Sequence, residues 1–155
     1  MDLFCIKIEL ASGTTTNQDP DDSDTGPNDR LNYPTFAPNT IAFSQGEWHV
    51  TTEFKADVGS ANDTYRFEYY KYIPADRTYK FLKAVSQTLD GNAAAAFDVA
   101  LADLSHVGKG DLLTAIAIHN SAGDTQRYGN TSEFAPPVTV RCPASVEIGM
   151  SGWLG

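Results

Sequence analysis

The chain has little of several features that define common protein classes. Only two of its 155 residues are cysteine, and neither lies in a CxxC or Cys/His spacing that binds zinc. No apolar run reaches the roughly 18 residues that a membrane-spanning helix needs. No basic segment followed by an apolar one opens the chain. The sequence therefore predicts no membrane insertion, and we expect the export signal of a secreted form to lie outside this chain.

Basic residues are also few. The chain has 11 lysines and arginines against 20 acidic residues, so its formal net charge is −9 and its pI is about 4.5. Such a surface repels nucleic acid and anionic membranes unless a basic patch interrupts it, and no such patch is evident along the sequence. The acidic balance favours cations as partners, calcium above all, or serves solubility alone.

Helical periodicity is missing, and the chain instead alternates apolar and polar residues. Residues 47–58 alternate without interruption, which is typical of a half-buried antiparallel strand. Asp90-Gly91-Asn92 predicts a hairpin-type turn, and Pro136-Pro137 an edge strand or a bulge. Further strands are predicted at 3–10, 64–73, 79–89, 93–101, 111–119 and 131–142, with residues 31–38 extended.

These short strands predict an all-β protein, an immunoglobulin-like antiparallel β-sandwich with an N-terminal strand and an Asp-rich loop. We expect the strand and loop in residues 1–38, the sandwich in 39–142 and a C-terminal tail in 143–155. Three carboxylates should be mostly exposed: Glu53, Glu68 and Asp98. The residues expected to be mostly buried are Trp48, Val50, Phe54, Tyr65, Phe67, Phe97, Val99, Leu101, Ile116 and Ile118.

A cluster of oxygen-bearing side chains in the predicted loop is the strongest chemical signal. Calcium takes about six to eight oxygen ligands, and carboxylates this close repel one another unless a cation neutralises them. The segment resembles part of an EF-hand loop without its bidentate Glu, so another segment would complete the site. The alternative is a solvated acidic loop. The candidate calcium ligands are Asp19, Asp21, Asp22, Asp24 and Asn28.

The two cysteines, Cys5 and Cys142, lie near opposite ends of the chain. They predict one disulfide between the first and last strands. Because it would close a very long loop, it would stabilise the fold by roughly 5 kcal/mol in the chain-entropy model. The alternative is a pair of buried thiols.

Two tyrosines, Tyr70 and Tyr72, fall on the polar face of their predicted strand. Exposed aromatic side chains in line can stack on sugar rings, which makes this a candidate ligand face. The alternative, which we favour from the sequence, is that the tail or a neighbouring module covers them.

No arrangement of residues typical of an enzyme stands out. The three histidines, His49, His106 and His119, have no metal-binding spacing and are predicted to be solvated or bonded to turns. A glycosidase-type carboxylate pair drawn from Glu53, Glu68 or Asp98 is conceivable, but carboxylates that alternate along strands are ordinary surface residues. The sequence therefore predicts a protein that is not an enzyme.

The stretch DPDDSDTGPNDRLNYPTF at 19–36 resembles the Asp-rich segment that opens immunoglobulin-like modules of large bacterial surface and secreted proteins. In those proteins the module often follows parallel β-helix repeats. TYRFEYYKY at 64–72 and GNTSEF at 129–134 follow in the same order, and the resemblance covers about residues 6–140. Arg30, Tyr33 and the inserted SAGDTQRY depart from the pattern.

The resemblance implies a non-catalytic, extracellular or cell-surface module, structural or adhesive, of the kind found in adhesins. Its expected partners are neighbouring protein modules or further copies of itself. Two alternatives stay open: a carbohydrate-binding module, and a virion or filament subunit.

Overall fold

The computed structural model describes residues 31–44, 47–56, 58–101, 107–108, 110–120 and 128–140. Among these residues, no helix is long and apolar enough to cross a membrane. A 3-10 turn lies at Val58–Ser60. The strands are β1 (Thr35–Ser44), β2 (Glu47–Lys55), β3 (Thr64–Ile73), β4 (Thr78–Thr88), β5 (Ala94–Leu101), β6 (Leu112–Asn120), β7 (Tyr128–Thr131) and β8 (Val138–Thr139).

The strands form two antiparallel sheets. One sheet has the order β1-β2-β5, and the other has the order β4-β3-β6-β7, with β8 also pairing with β6. The chain changes sheet between β2 and β3, between β4 and β5, and again between β5 and β6. This order, with β2 beside β5 and β3 beside β6, is that of an immunoglobulin-like sandwich. The predicted fold class is thereby confirmed for the described part of the chain.

Strand β2 shows how the alternation of the sequence builds the core. Trp48, Val50, Thr52 and Phe54 are buried, and the residues between them are half-buried or exposed. The predicted strand over 47–58 is too long, because β2 ends at Lys55 and residues 58–60 form the 3-10 turn. The chain has to leave the first sheet here to begin β3 in the second.

The core lies between the two sheets. Nine of the ten residues predicted to be buried are buried, whereas Phe97 is only partly buried against the core. Ile116 and Ile118 are buried, but they pair with Glu68 and Arg66 and therefore lie on the outer face of their sheet. The core face of β6 carries the small residues Ala115 and Ala117. The inner face of β3 contributes three fully buried rings, Tyr65, Phe67 and Tyr69.

A buried hydrogen bond joins the two sheets through this core. The hydroxyl groups of Thr52 in β2 and Tyr69 in β3 lie 2.7 Å apart. Burial raises the pKa of Tyr69 well above its ordinary value of 10.0, since the ionised phenolate would have to lose its solvation. Both polar groups are thus buried with a partner, as a close-packed interior requires.

The turn at Asp90-Gly91-Asn92 is not a hairpin, because it connects β4 in one sheet to β5 in the other. The Oδ1 atom of Asp90 accepts hydrogen bonds from the backbone N–H groups of Ala94 at 3.0 Å and Asn92 at 2.8 Å. These bonds hold the pKa of the Asp90 carboxyl below its usual range. The local sequence predicted the turn correctly, but the position of that turn between two sheets depends on the packing of the whole sandwich.

The predicted last strand over 131–142 is replaced by two short strands, β7 and β8, with residues 132–137 irregular between them. The irregular segment still runs along β6, since the N–H of Ser132 donates to the oxygen of Ala117 at 2.8 Å. Pro136 and Pro137 have no N–H to give to the ladder, so a regular strand cannot continue through them. Their predicted association with an edge or a bulge agrees with this geometry.

Candidate functional site

The outer face of the five-stranded sheet carries the candidate site. On β3, alternation places Arg66, Glu68, Tyr70 and Tyr72 outward, opposite to the buried rings. On β4, a bulge interrupts the pairing, because Tyr69 pairs with Lys83 and the next residue, Tyr70, pairs with Phe81. The extra residue brings the aromatic side chains of β4 onto the same face as Tyr70 and Tyr72.

Aromatic rings from three parts of the chain meet on this face. Tyr70 contacts Phe81 edge-on at a centroid distance of 5.7 Å, and Tyr72 contacts Tyr79 at 5.0 Å. Phe134 stacks on Tyr79 at 4.1 Å with an angle of 6° between the rings. We call this set the aromatic cluster: Tyr70, Tyr72, Tyr79, Phe81 and Phe134.

Phe134 reaches the cluster from the irregular segment at the far side of β6. The hydroxyl of Thr114 in β6 donates to the oxygen of Ala135 at 2.6 Å, and the N–H of Ala135 donates to the oxygen of Ala115 at 2.9 Å. These bonds fix the segment beside Thr114, which pairs with Tyr70 on the same face. Phe134 then contacts Tyr70 edge-on at 5.3 Å.

The cluster is only partly covered. Tyr70 and Tyr72 are half-buried among the other rings, and Phe134 supplies part of the cover that we expected from the tail or a neighbouring module. The tail, residues 143–155, lies outside the described residues. Among the described residues, Phe81 is the exposed large apolar side chain, with 42 % of its surface accessible to solvent. The group of rings on this face is therefore larger than the two tyrosines that the sequence singled out.

Glu68 forms the polar border of the cluster. Its Oε1 atom accepts from Nε of Arg66 at 2.7 Å, and its Oε2 atom accepts from the hydroxyl of Tyr70 at 2.5 Å. The Glu68 side chain is only 17 % exposed, so the prediction that it is mostly exposed was wrong. The two donors hold the carboxylate against the sheet, whereas Glu53 and Asp98 are exposed as predicted.

The hairpin of β3 and β4 is basic in an acidic protein. Residues 64–88 hold five basic and two acidic side chains, a net charge of +3. Because the whole chain carries −9, the remaining residues together carry −12. Lys71 pairs with Asp111 at 2.7 Å, and Lys83 donates to the oxygen of Ala100 in β5 at 2.8 Å. Both lysines lie on the face of the sheet opposite to the aromatic cluster, because Lys71 alternates with Tyr70 and Tyr72, and Lys83 pairs with the buried Tyr69.

The histidines take part in pairs with aspartates. Nδ1 of His49 lies 2.7 Å from Oδ2 of Asp98, and Nε2 of His119 lies 2.9 Å from Oδ2 of Asp63. The His119 ring also stacks on Tyr65 at 4.6 Å. Within the part of the chain that the structure describes, no group of three or more His, Cys, Asp or Glu residues could hold a metal ion. His106 lies outside that part.

Both predicted sites in the chain termini lie outside the described residues. This holds for the candidate calcium ligands Asp19, Asp21, Asp22, Asp24 and Asn28, and for Cys5 and Cys142.

The sequence analysis did not identify three members of the aromatic cluster. Tyr79 and Phe81 are two residues apart on one strand, and this spacing alone could have placed them on one face. Nothing in the local sequence predicts that Phe134, more than 50 residues later, stacks on Tyr79.

No protein-family model matches the chain, and no curated protein matches its sequence significantly. The fold and the site define the class to which it belongs: an all-β sandwich with an aromatic cluster on the outer face of its larger sheet.

Proposed function

We propose that this chain is a non-catalytic structural or adhesive module of an extracellular or cell-surface protein, and that it acts through its aromatic cluster. The observation that carries the proposal is the exposure of Phe81, 42 %, within a group of packed rings. Large apolar groups gathered at the surface mark contact sites more often than chance.

The surroundings of the carboxylates support the absence of catalysis. Of the three considered for glycoside hydrolysis, Glu68 is held by Arg66 and Tyr70, and Asp98 pairs with His49. The adhesive role fits the resemblance to modules of bacterial surface proteins.

An adhesion assay tests this proposal. Beads that carry the chain would be washed over surfaces coated with glycans, with other modules or with the chain itself. We expect retention on at least one surface, and loss of retention with Phe81→Ala. Retention that Phe81→Ala leaves unchanged would refute the assigned surface, and no retention on any surface would refute the adhesive role.

Carbohydrate binding is the second candidate function. The aromatic cluster combines ring faces with the tyrosine hydroxyls and with Glu68 and Arg66 at its border. A sugar ring has an apolar C–H face and a hydroxyl edge, and this surface offers a partner for each. A glycan array with the wild-type chain and with Phe81→Ala separates this candidate from a role in joining protein modules.

We also propose that calcium stabilises the protein through Asp19, Asp21, Asp22, Asp24 and Asn28, as their spacing in the sequence suggests. A cation that binds only the folded form stabilises it by about 2.7 kcal/mol at a hundredfold excess over Kd. The melting temperature should be higher in millimolar calcium than in chelator.

Two substitutions serve as controls for the calcium proposal. Asp22→Ala and Asp24→Ala should each reduce the response of the melting temperature, and magnesium should substitute poorly because it demands a tighter octahedral cage. Equal melting with calcium and with chelator, together with no heat in calorimetry, would mean that the segment is a solvated acidic linker.

The proposed Cys5–Cys142 disulfide has a separate test. Alkylation of the denatured chain without prior reduction should leave its mass unchanged. The addition of two alkyl groups under oxidising conditions would contradict the disulfide.

A further inference from the structure

We propose that the free edge of strand β5 pairs with the same edge of a second copy of this chain. The two strands run antiparallel, in the register that places Ala96 of each copy opposite Asp98 of the other. This edge is separate from the aromatic cluster, so the pairing goes beyond the function proposed above. The observation that carries it is a short exposed edge whose backbone groups, central ring and end charges all complement a second copy of themselves.

The backbone of β5 has one side turned away from its sheet. The strand is last in the order β1-β2-β5, and in an antiparallel pair alternate residues direct their N–H and C=O groups toward the neighbouring strand. The N–H of Ala56 donates to the oxygen of Ala93 at 2.9 Å, so the odd-numbered residues of β5 face β2. The residues whose backbone groups point away from the sheet are therefore Ala94, Ala96, Asp98 and Ala100.

Both ends of this edge are closed by contacts within the chain. At one end, the N–H of Ala94 donates to Oδ1 of Asp90 at 3.0 Å, and the N–H of Asp90 donates to the oxygen of Ala94 at 2.8 Å. At the other end, Nζ of Lys83, which reaches across from the second sheet, donates to the oxygen of Ala100 at 2.8 Å. One end thus carries a carboxylate and the other an ammonium group.

The edge between these ends is open. Ala96 and Asp98 are exposed, and their backbone groups accept or donate no hydrogen bond to the residues that the structure describes. Each of them presents one N–H and one C=O group. Phe97 lies between them and points to the core side, where its ring contacts Phe67 at 5.0 Å. The ring is only partly buried, because β5 is the last strand of its sheet.

One two-fold register satisfies all of these backbone groups. With Ala96 opposite Asp98 of the second copy, each pair exchanges two N–H···O=C bonds, and the two symmetric pairs together form four. With Ala96 opposite Ala96, Asp98 would face Ala94, whose backbone groups are already bonded in the turn. With Asp98 opposite Asp98, two carboxylates would face each other, and the oxygen of Ala100 opposite Ala96 is already bonded.

The same register brings complementary side chains together. Phe97 faces Phe97 of the second copy across the two-fold axis, as a non-hydrogen-bonded pair in which side chains approach closely. Ala100 comes opposite Ala94 of the second copy, so the ammonium group of Lys83 lies across from the carboxylate of Asp90. Symmetry repeats this charge contact at the other end. These contacts favour a second copy over an unrelated extended peptide, which would gain only the backbone bonds.

Sedimentation and amide hydrogen exchange at several concentrations test the pairing. The mass in solution should rise from 16.8 kDa toward twice that value as the concentration approaches about 1 mM, because a small interface associates weakly. The amides of Ala96 and Asp98 should then exchange about fivefold more slowly, whereas those of Phe97 and Val99, which face β2, should not change. A mass of 16.8 kDa at every concentration, or protection without this alternation, would overturn the inference.

A matched pair of variants assigns the association to this edge. Ala96→Pro removes one N–H from the open stretch and should abolish the rise in mass, whereas Ala96→Ser keeps that N–H and should leave the rise unchanged. Proline fits an edge strand where the N–H faces solvent, and circular dichroism verifies the fold. Association that survives in folded Ala96→Pro would contradict the pairing. If this variant does not fold, the lysine variants below decide.

Two lysine variants separate the end contact from overall charge. Lys83→Glu and Lys80→Glu change the net charge equally, but only Lys83 is bonded at the end of β5. We expect Lys83→Glu to weaken association at least fivefold more than Lys80→Glu, and equal effects would overturn the proposed register. Phe81→Ala should leave the association unchanged. Dissociation by Phe81→Ala would assign self-association to the aromatic cluster, leaving the proposed function standing and removing the inference drawn from β5.

Discussion

The two faces of the five-stranded sheet use the same residue types in opposite ways. Its inner face holds Tyr65, Phe67 and Tyr69, all of them less than 2 % exposed. On its outer face Tyr70 and Tyr72 are half-buried, and neighbouring Phe81 is 42 % exposed. The inner rings pack against the second sheet, whereas the outer rings pack against one another and against a segment from the edge of the sheet.

This difference predicts that the inner rings contribute mainly to stability and the outer rings mainly to contact with partners. A ring in the core contributes through burial on all sides, and its removal leaves a cavity. A ring at the surface is only partly buried in the folded chain, so a partner can bury the part that is still exposed to solvent. We expect the largest effects on stability from the inner face and the largest effects on binding from the outer one.

Removing a ring from the inner face should give the largest loss of stability. Phe67→Ala should lower the free energy of unfolding by about 3–5 kcal/mol, since it opens a cavity beside Phe54 and Phe97. Urea unfolding monitored by circular dichroism measures it. If this variant does not fold, Phe67→Leu should still fold and cost less. A loss below about 1 kcal/mol in Phe67→Ala would contradict the assignment of this face to the core.

Breaking the hydrogen bond between the sheets should have the next largest effect. Tyr69→Phe leaves the fully buried Thr52 hydroxyl without the Tyr69 hydroxyl at 2.7 Å, at a cost of about 1–3 kcal/mol. The double variant Tyr69→Phe, Thr52→Val replaces both polar groups and should recover part of the loss. Additive losses in this double-mutant cycle would show that the two hydroxyls do not interact.

The same tyrosine should make the protein sensitive to alkaline pH. Its pKa is raised above the ordinary value of 10.0 by burial, and the nearby charge of Asp98 adds to the shift. The unfolded chain therefore loses this proton first, and stability falls as pH rises above about 10. The slope is up to about 1.4 kcal/mol per pH unit. Unfolding at several alkaline pH values should show a steeper loss in the wild type than in Tyr69→Phe, and parallel curves would argue against a buried hydroxyl.

Uncovering the outer face should have a smaller effect on stability. Phe134→Ala removes the stack on Tyr79 and the edge contact with Tyr70, for which we expect a loss of about 1 kcal/mol. Thermal melting measures the loss, and a fluorescent apolar dye should bind the variant more than the wild type. Unchanged dye binding would indicate that Phe134 does not cover the rings.

The smallest effect on stability is expected for the most exposed ring. Phe81→Ala should change the free energy of unfolding by no more than about 0.5 kcal/mol, as for other surface substitutions. Its effect should appear in binding instead. A loss of stability as large as that of Phe67→Ala would erase the distinction between the two faces.

The strands that alternate regularly were predictable from the sequence. Strand β3 has the predicted bounds, Thr64–Ile73, because its alternation satisfies both the backbone ladder and the core. The chain over 131–142 was not predictable in the same way. Its prolines signal an interruption, but only the neighbouring strand β6 determines where residues 132–137 lie.

For the candidate site, the sequence by itself determined that Tyr70 and Tyr72 share the outer face of their strand, because side chains alternate with a period of two. It did not determine that a bulge in β4 brings Tyr79 and Phe81 beside them, or that Phe134 stacks on Tyr79. These contacts join residues far apart in the chain. They depend on strand pairing and register, and only the tertiary structure decides those, because many pairings satisfy the same local alternation.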